Sequence, residues 1–195
     1  MIPIQGDSMR SYAAGLIALL LGACGQTQND SVATAGCARG ATHHIIWSSA
    51  AAPDVITARS DGPTCAQAIV TFTARNAQGD PLWAFASTYY AITAGDGAPP
   101  EGFPPVSNEE MDRFLASWAE VTEMTSGDLP EWRDVTLTDS SEGLAYVSPL
   151  TAESYPLVRE RNVPLICFAI GAETSQCVMI DPFANAPALV VTVSP

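Results

Sequence analysis

Residues 163–181 read Val163-Pro-Leu-Ile-Cys167-Phe-Ala-Ile170-Gly-Ala-Glu-Thr174-Ser-Gln-Cys177-Val-Met-Ile-Asp181. Two apolar, strand-forming runs, 163–170 and 175–181, flank Gly171-Ala172-Glu173-Thr174, so the segment is expected to fold as a hairpin turning on Ala172. That register sets Cys167 against Cys177. Directly opposed strand residues have Cα atoms about 4.5–5.5 Å apart, which a disulfide can span. Of the three ways to pair Cys37, Cys65, Cys167 and Cys177, the hairpin favours 167 with 177, and Cys37 then pairs with Cys65. Four cysteines free to pair imply an oxidising compartment. Neither CxxC nor CxxxxC spacing occurs, so no metal is expected at these cysteines.

Outward from the hairpin, residues 188–193 form another near-continuous apolar run, and residues 42–93 read as strands. Ala68, Val70, Phe72 and Ala74 alternate with Gln67, Thr71, Thr73 and Arg75, the period of a half-exposed strand. The turn Asn76-Ala77-Gln78-Gly79-Asp80 predicts a return strand over 82–91, with Trp83, Phe85 and Tyr89 on one face. Shorter strands are expected over 43–47 and 54–59. The four prolines and three glycines of residues 95–106 exclude regular structure there. Ser107 with Glu110 three residues on is a capping box. Met111, Phe114, Leu115, Trp118 and Val121 then recur at helical spacing before Gly127. A second helix is predicted over 152–161, capped by Thr151. The fold class is therefore α+β, a largely antiparallel β-sheet with two helices packed on one face and stabilised by disulfides.

Residues 11–21 are the only long apolar run, preceded by Arg10 and followed by small residues, and the run is about half the length of a membrane-spanning helix. The run ends at Leu21-Gly22-Ala23-Cys24, which resembles the lipobox of bacterial lipoproteins; the resemblance covers residues 9–24 only. It implies a signal peptide over 1–23 and lipid on Cys24, and it accounts for the odd fifth cysteine. It also implies a membrane-tethered protein in the cell envelope, with its domain outside the cytoplasm. Gly25, where the enteric sorting signal has Asp, favours the outer membrane. Ala33-Thr34-Ala35 offers an alternative small-x-small cleavage site, a dozen residues beyond the apolar run. Met9, followed by Arg10, is a more usual start for such a signal than Met1. Residues 24–36 read as a polar tether, and 37–195 as a single globular α+β domain.

The formal charge is −13, from 21 acidic and 8 basic residues, and this excludes a phosphate-backbone binder. Lysine is absent altogether, which excludes Schiff-base and Walker-lysine chemistry. Residues 96–142 hold twelve acids against Arg113 and Arg133, a net of −10, whereas residues 24–95 and 143–195 carry −1 and −2. A concentrated field of one sign attracts partners of the other. The expected partner-binding residues are Glu120, Glu123, Asp128, Glu131, Trp132 and Asp134, and the partner a basic protein or polycation. A solvated helix face with acidic loops would give the same count.

No set of residues identifies a reaction. His43 and His44 are adjacent, so on a strand they face opposite ways, and Ser48, Ser49 and Ser60 lie in no nucleophile turn. Glu109 and Glu110 sit in a first helical turn, where acids are expected for capping. Asp128, Glu131 and Asp134 lack the EF-hand spacing. Residues 141–146, Ser-Glu-Gly-Leu-Ala-Tyr, faintly resemble the serine-glycine-tyrosine loop of small lipoprotein inhibitors of lysozyme; Glu142 interrupts the match, and no function is carried across. The leading expectation is a non-enzymatic, lipid-anchored envelope protein binding through its acidic middle region, with no cofactor and no metal. A carrier with a pocket for a small apolar ligand behind Trp83, Phe85 and Tyr89 is the alternative, and a hydrolase the third.

Overall fold

The computed structural model describes residues 36–95, 98–99, 101–102, 104–132, 137–139 (backbone only) and 143–195. Strands β1 (Arg39–Ile45), β2 (Asp54–Asp61), β3 (Ile69–Arg75) and β4 (Pro81–Thr88) form an antiparallel meander in chain order. Their alternation sends Ile56, Ala58, Val70, Phe72 and Ala74 to the buried side, while Thr42, Arg59 and Arg75 stay exposed or half-exposed on the other. The strand predicted over 82–91 is cut short. Thr88 Oγ1 accepts from Ala91 N, and helix α1 (Tyr89–Thr93) begins there. A hydroxyl acceptor at an N-cap satisfies an otherwise orphan amide, and here it overrides the β preference of the aromatic run.

Helix α2 (Asn108–Ala119) starts on the predicted capping box, with both reciprocal bonds between Ser107 and Glu110 formed. It buries Met111, Leu115 and Trp118. The helix ends at Ala119, well before Gly127, which lies in a short 3₁₀ turn at Ser126–Asp128. Between them runs β5 (Thr122–Thr125), followed by β6 (Leu137–Asp139) and β7 (Leu144–Val147). Helix α3 (Ser154–Arg161) begins two residues later than predicted, although Thr151 Oγ1 does accept from Ser154 N. Strands β8 (Pro164–Gly171), β9 (Thr174–Asp181) and β10 (Ala186–Ser194) complete a second antiparallel sheet in the order β5-β8-β9-β10-β7-β6.

The α+β class, the antiparallel pairing and the disulfides are as expected; the strands, however, divide between two sheets, and the helices number three among the described residues. Strands β8 and β9 are apolar at consecutive positions, so both of their faces need cover. Ile166, Phe168 and Val178 pack with α2 and the first sheet, whereas Leu165, Cys167, Cys177 and Met179 pack with Tyr155 and Val158 of α3. The two helices thus meet opposite faces of the second sheet rather than sharing one.

Cys167 and Cys177 are direct cross-strand partners with Cα atoms 4.1 Å apart, and they are disulfide-bonded. The tight turn is Ala172–Glu173, and a register shift between Ala169 and Gly171 absorbs the extra residue. Cys37 and Cys65 form the second disulfide, with a Cα separation of 4.7 Å. Beside it, Gly62 lies so close to the chain that an added Cβ would stand 2.5 Å from Ala68 Cα. Because the neighbour is backbone and cannot rotate away, Gly62→Ala is expected to cost about 1–3 kcal/mol, visible as a lower urea midpoint at unchanged m-value. An unchanged midpoint would show that the two segments can separate freely.

Candidate functional site

The acidic segment leaves the C-terminus of α2, runs along β5 at the edge of the second sheet, and turns through residues 126–132 onto α3. That turn is fixed from below. Ser126 is fully buried; its hydroxyl donates to Val158 O at 2.6 Å and accepts from Val163 N at 3.0 Å. Arg159 Nε donates to Leu129 O at 2.8 Å, and Tyr155 Oη donates to Pro130 O at 3.0 Å. Burial pushes the Tyr155 phenol up to about 12, which keeps it a donor across the neutral range. Trp132 is half-buried against Tyr155, with ring centroids 5.4 Å apart.

Several of the acids are consumed locally. Asp128 Oδ2 accepts from Thr125 Oγ1 at 2.7 Å and Thr125 N at 2.8 Å, and these bonds hold its carboxyl below the usual range. Glu110 is lowered by its capping bonds to Ser107. Asp112 is lowered by its two-pronged contact with the Arg39 guanidinium, which ties α2 to β1. Glu120, Glu123 and Glu131 are exposed, and their carboxylates have no hydrogen-bond or ion-pair partner among the described residues. Asp134, and the Ser141 and Glu142 of the short serine-glycine-tyrosine resemblance, lie outside the described residues, as does Cys24.

Two open cavities follow one another along the β5–β8 pair. One, of about 260 Å³, is lined by Ile46, Trp47, Glu123, Thr125 and Ile166 among others; the next, of about 300 Å³, includes Trp118, Glu120, Thr122 and Phe168. In the sequence Trp47 falls at the end of the strand expected over 43–47, with nothing that connects it to Glu123. The strand ends at Ile45, and the following loop is held by Asp54, which is 1% exposed. Its carboxylate accepts from Trp47 N at 3.0 Å and from Ser48 N and Ser48 Oγ at 2.6 Å each. Asp54→Ala would leave these buried donors unpaired, at a cost of about 1–3 kcal/mol. Faster hydrogen exchange at the Trp47 and Ser48 amides is the expected local readout; unchanged protection there would refute the role.

The residues considered for other chemistry are spread apart. His43 is half-buried and His44 exposed, on alternate faces of β1. Ser48 is bonded to Asp54, and Ser60 donates to Cys37 O. Phe85 packs into the core, 5.8 Å from Phe168 and 6.3 Å from Trp118. Trp83 joins the same cluster. Tyr89 is carried off that strand face by α1; it stacks edge-on with Phe114 and borders a separate cavity of about 280 Å³ with Thr93, Val106 and Glu110.

No described helix is long and apolar enough to cross a membrane, and the two disulfides fit an oxidising compartment outside the cytoplasm. Comparison with protein-family models, curated proteins and solved structures finds no match for this chain.

Proposed function

We propose that the protein is a lipid-anchored component of the bacterial cell envelope, tethered through Cys24, which binds a basic protein or polycation through the surface running from α2 to residue 132. The observation that carries the binding part is that Glu120, Glu123 and Glu131 stay exposed without partners among the described residues, while Asp112, Asp128 and Glu110 are engaged within the fold. Carboxylates not committed to capping or ion pairs keep their full field for an incoming cation. The anchoring part rests on the lipobox-like Leu21-Gly22-Ala23-Cys24. More than one acyl chain, at about 0.8 kcal/mol per buried methylene, would hold the chain stably at a bilayer.

The two parts separate experimentally. Cys24→Ser should move the protein from the membrane fraction to the soluble envelope fraction, and unchanged partition would refute anchoring. Envelope proteins captured at low ionic strength should be released by salt and lost when Glu120, Glu123 and Glu131 are all replaced by Gln. No salt-sensitive capture at low ionic strength would refute the binding reading.

A further inference from the structure

Resting on that reading of the acidic surface, we propose that β5 and its two cavities bind an extended segment with basic residues at alternate positions. Three observations meet there. The cavities adjoin, one bordered by Pro164–Ile166 and Glu123, the other by Cys167–Ala169 and Glu120. Their centres are therefore about three strand residues apart, or roughly 10 Å. Each cavity thus has one carboxylate without a partner among the described residues, beside apolar side chains that include Ile166 in one and Phe168 in the other, suited to a long side chain with an aliphatic stem and a cationic end. Side chains at i and i+2 of an extended peptide lie on one side about 7 Å apart, and the reach of arginine covers the difference.

The second observation is backbone pairing. Ser126 N donates to Val163 O at 2.8 Å, which puts Met124 and Thr122 in the positions bonded to β8 and turns the N–H and C=O of Glu123 toward the open edge. Thr125 N is already taken by Asp128, so the exposed pairing groups centre on Glu123, between the cavities. An added strand would use them, as in other edge-strand recognition.

The third is Trp47. It is 5% exposed, it walls the first cavity, and its indole Nε1–H is buried without an acceptor among the described residues. The ring therefore meets the cavity with carbon atoms, an apolar wall against which an aliphatic stem can lie. Ile46, 51% exposed at the same wall, would cover the aliphatic stem.

The test uses two fluorescein-labelled peptides of one composition, Arg-Thr-Arg-Thr-Arg-Thr and Arg-Arg-Arg-Thr-Thr-Thr, titrated with the purified full chain at low ionic strength and read by anisotropy. The alternating peptide should bind about fivefold tighter or more, and Glu123→Gln should remove most of that preference. Glu109→Gln, on the first turn of α2, should leave it intact. Trp47→Phe should weaken the alternating peptide selectively; the exposed Glu123 variant keeps the test decisive should Trp47→Phe fail to fold. Equal binding of the two peptides, or equal effects of the two Glu variants, overturns the site while leaving a general acidic surface. Binding of neither peptide overturns the acidic-surface reading as well.

Discussion

Replacing Phe72 by Ala is expected to be the most destabilising single change in the core, about 3–5 kcal/mol. Phe72 is fully buried on β3 and stacks on Phe168 of β8 at 4.1 Å, with ring planes 9° apart. It also leans on Trp118 of α2 at 5.6 Å. One ring therefore joins the first sheet, the second sheet and the helix between them. Truncation loses the transfer energy of the ring and opens a void that three separate elements would have to close together. Phe183→Ala is the matched control. Phe183 is 79% exposed and contacts Arg161, whose guanidinium lies 4.2 Å from its ring centre, so its removal should cost at most about 1 kcal/mol. Urea unfolding of both variants gives the comparison; equal midpoints would mean that the sheets do not share a core through Phe72.

Removal of the Cys37–Cys65 disulfide, as Cys37→Ala with Cys65→Ala, should cost about 3–4 kcal/mol from the entropy regained by the unfolded loop. The bridge spans 28 residues, against 10 for Cys167–Cys177. The second bridge closes a smaller loop within a hairpin, so its loss should matter less. A chain of this size should melt on the order of 10 °C lower without the first bridge. Cys37 is fully buried, and its carbonyl accepts from the Ser60 hydroxyl at 3.0 Å. Its amide donates to Gly62 O at 2.8 Å, and both main-chain bonds survive the substitution, so the loop term carries the effect. Equal melting of the double variant and the wild type would refute the stabilising role, and the opposite order for the two bridges would refute the loop-length account.

Sequence carried these features unequally. The Cys167–Cys177 register was legible because two apolar strand-forming runs flank a short turn, which fixes which residues face each other. The start of α2 was legible because a capping box is a local device with its own signature. The break at Thr88 was not. Tyr89 to Thr93 have strand-forming side chains, and the N-cap hydroxyl that turns them into helix competes with that propensity at a single position. Division into two sheets was equally hidden, since apolar alternation marks a buried face without naming what covers it. The acidic concentration could be counted directly. Which carboxylates remain available could not, because Asp112 is engaged by Arg39, 73 positions earlier in the chain. The cavity at Trp47 and Glu123 depends on a loop after β1 meeting an edge strand about 76 positions on, a contact that no local pattern encodes.

The position of the Cys37–Cys65 bridge has a mechanical consequence. Any tension delivered through the residues before Gly36 arrives at Cys37 before it reaches Arg39, the first residue of the edge strand β1. The covalent link passes that load directly to Cys65, beyond β2 and just ahead of β3. An edge strand pulled from its end would otherwise open one hydrogen bond at a time. Here the force bypasses the fastening most easily unzipped and is shared by the sheet as a whole.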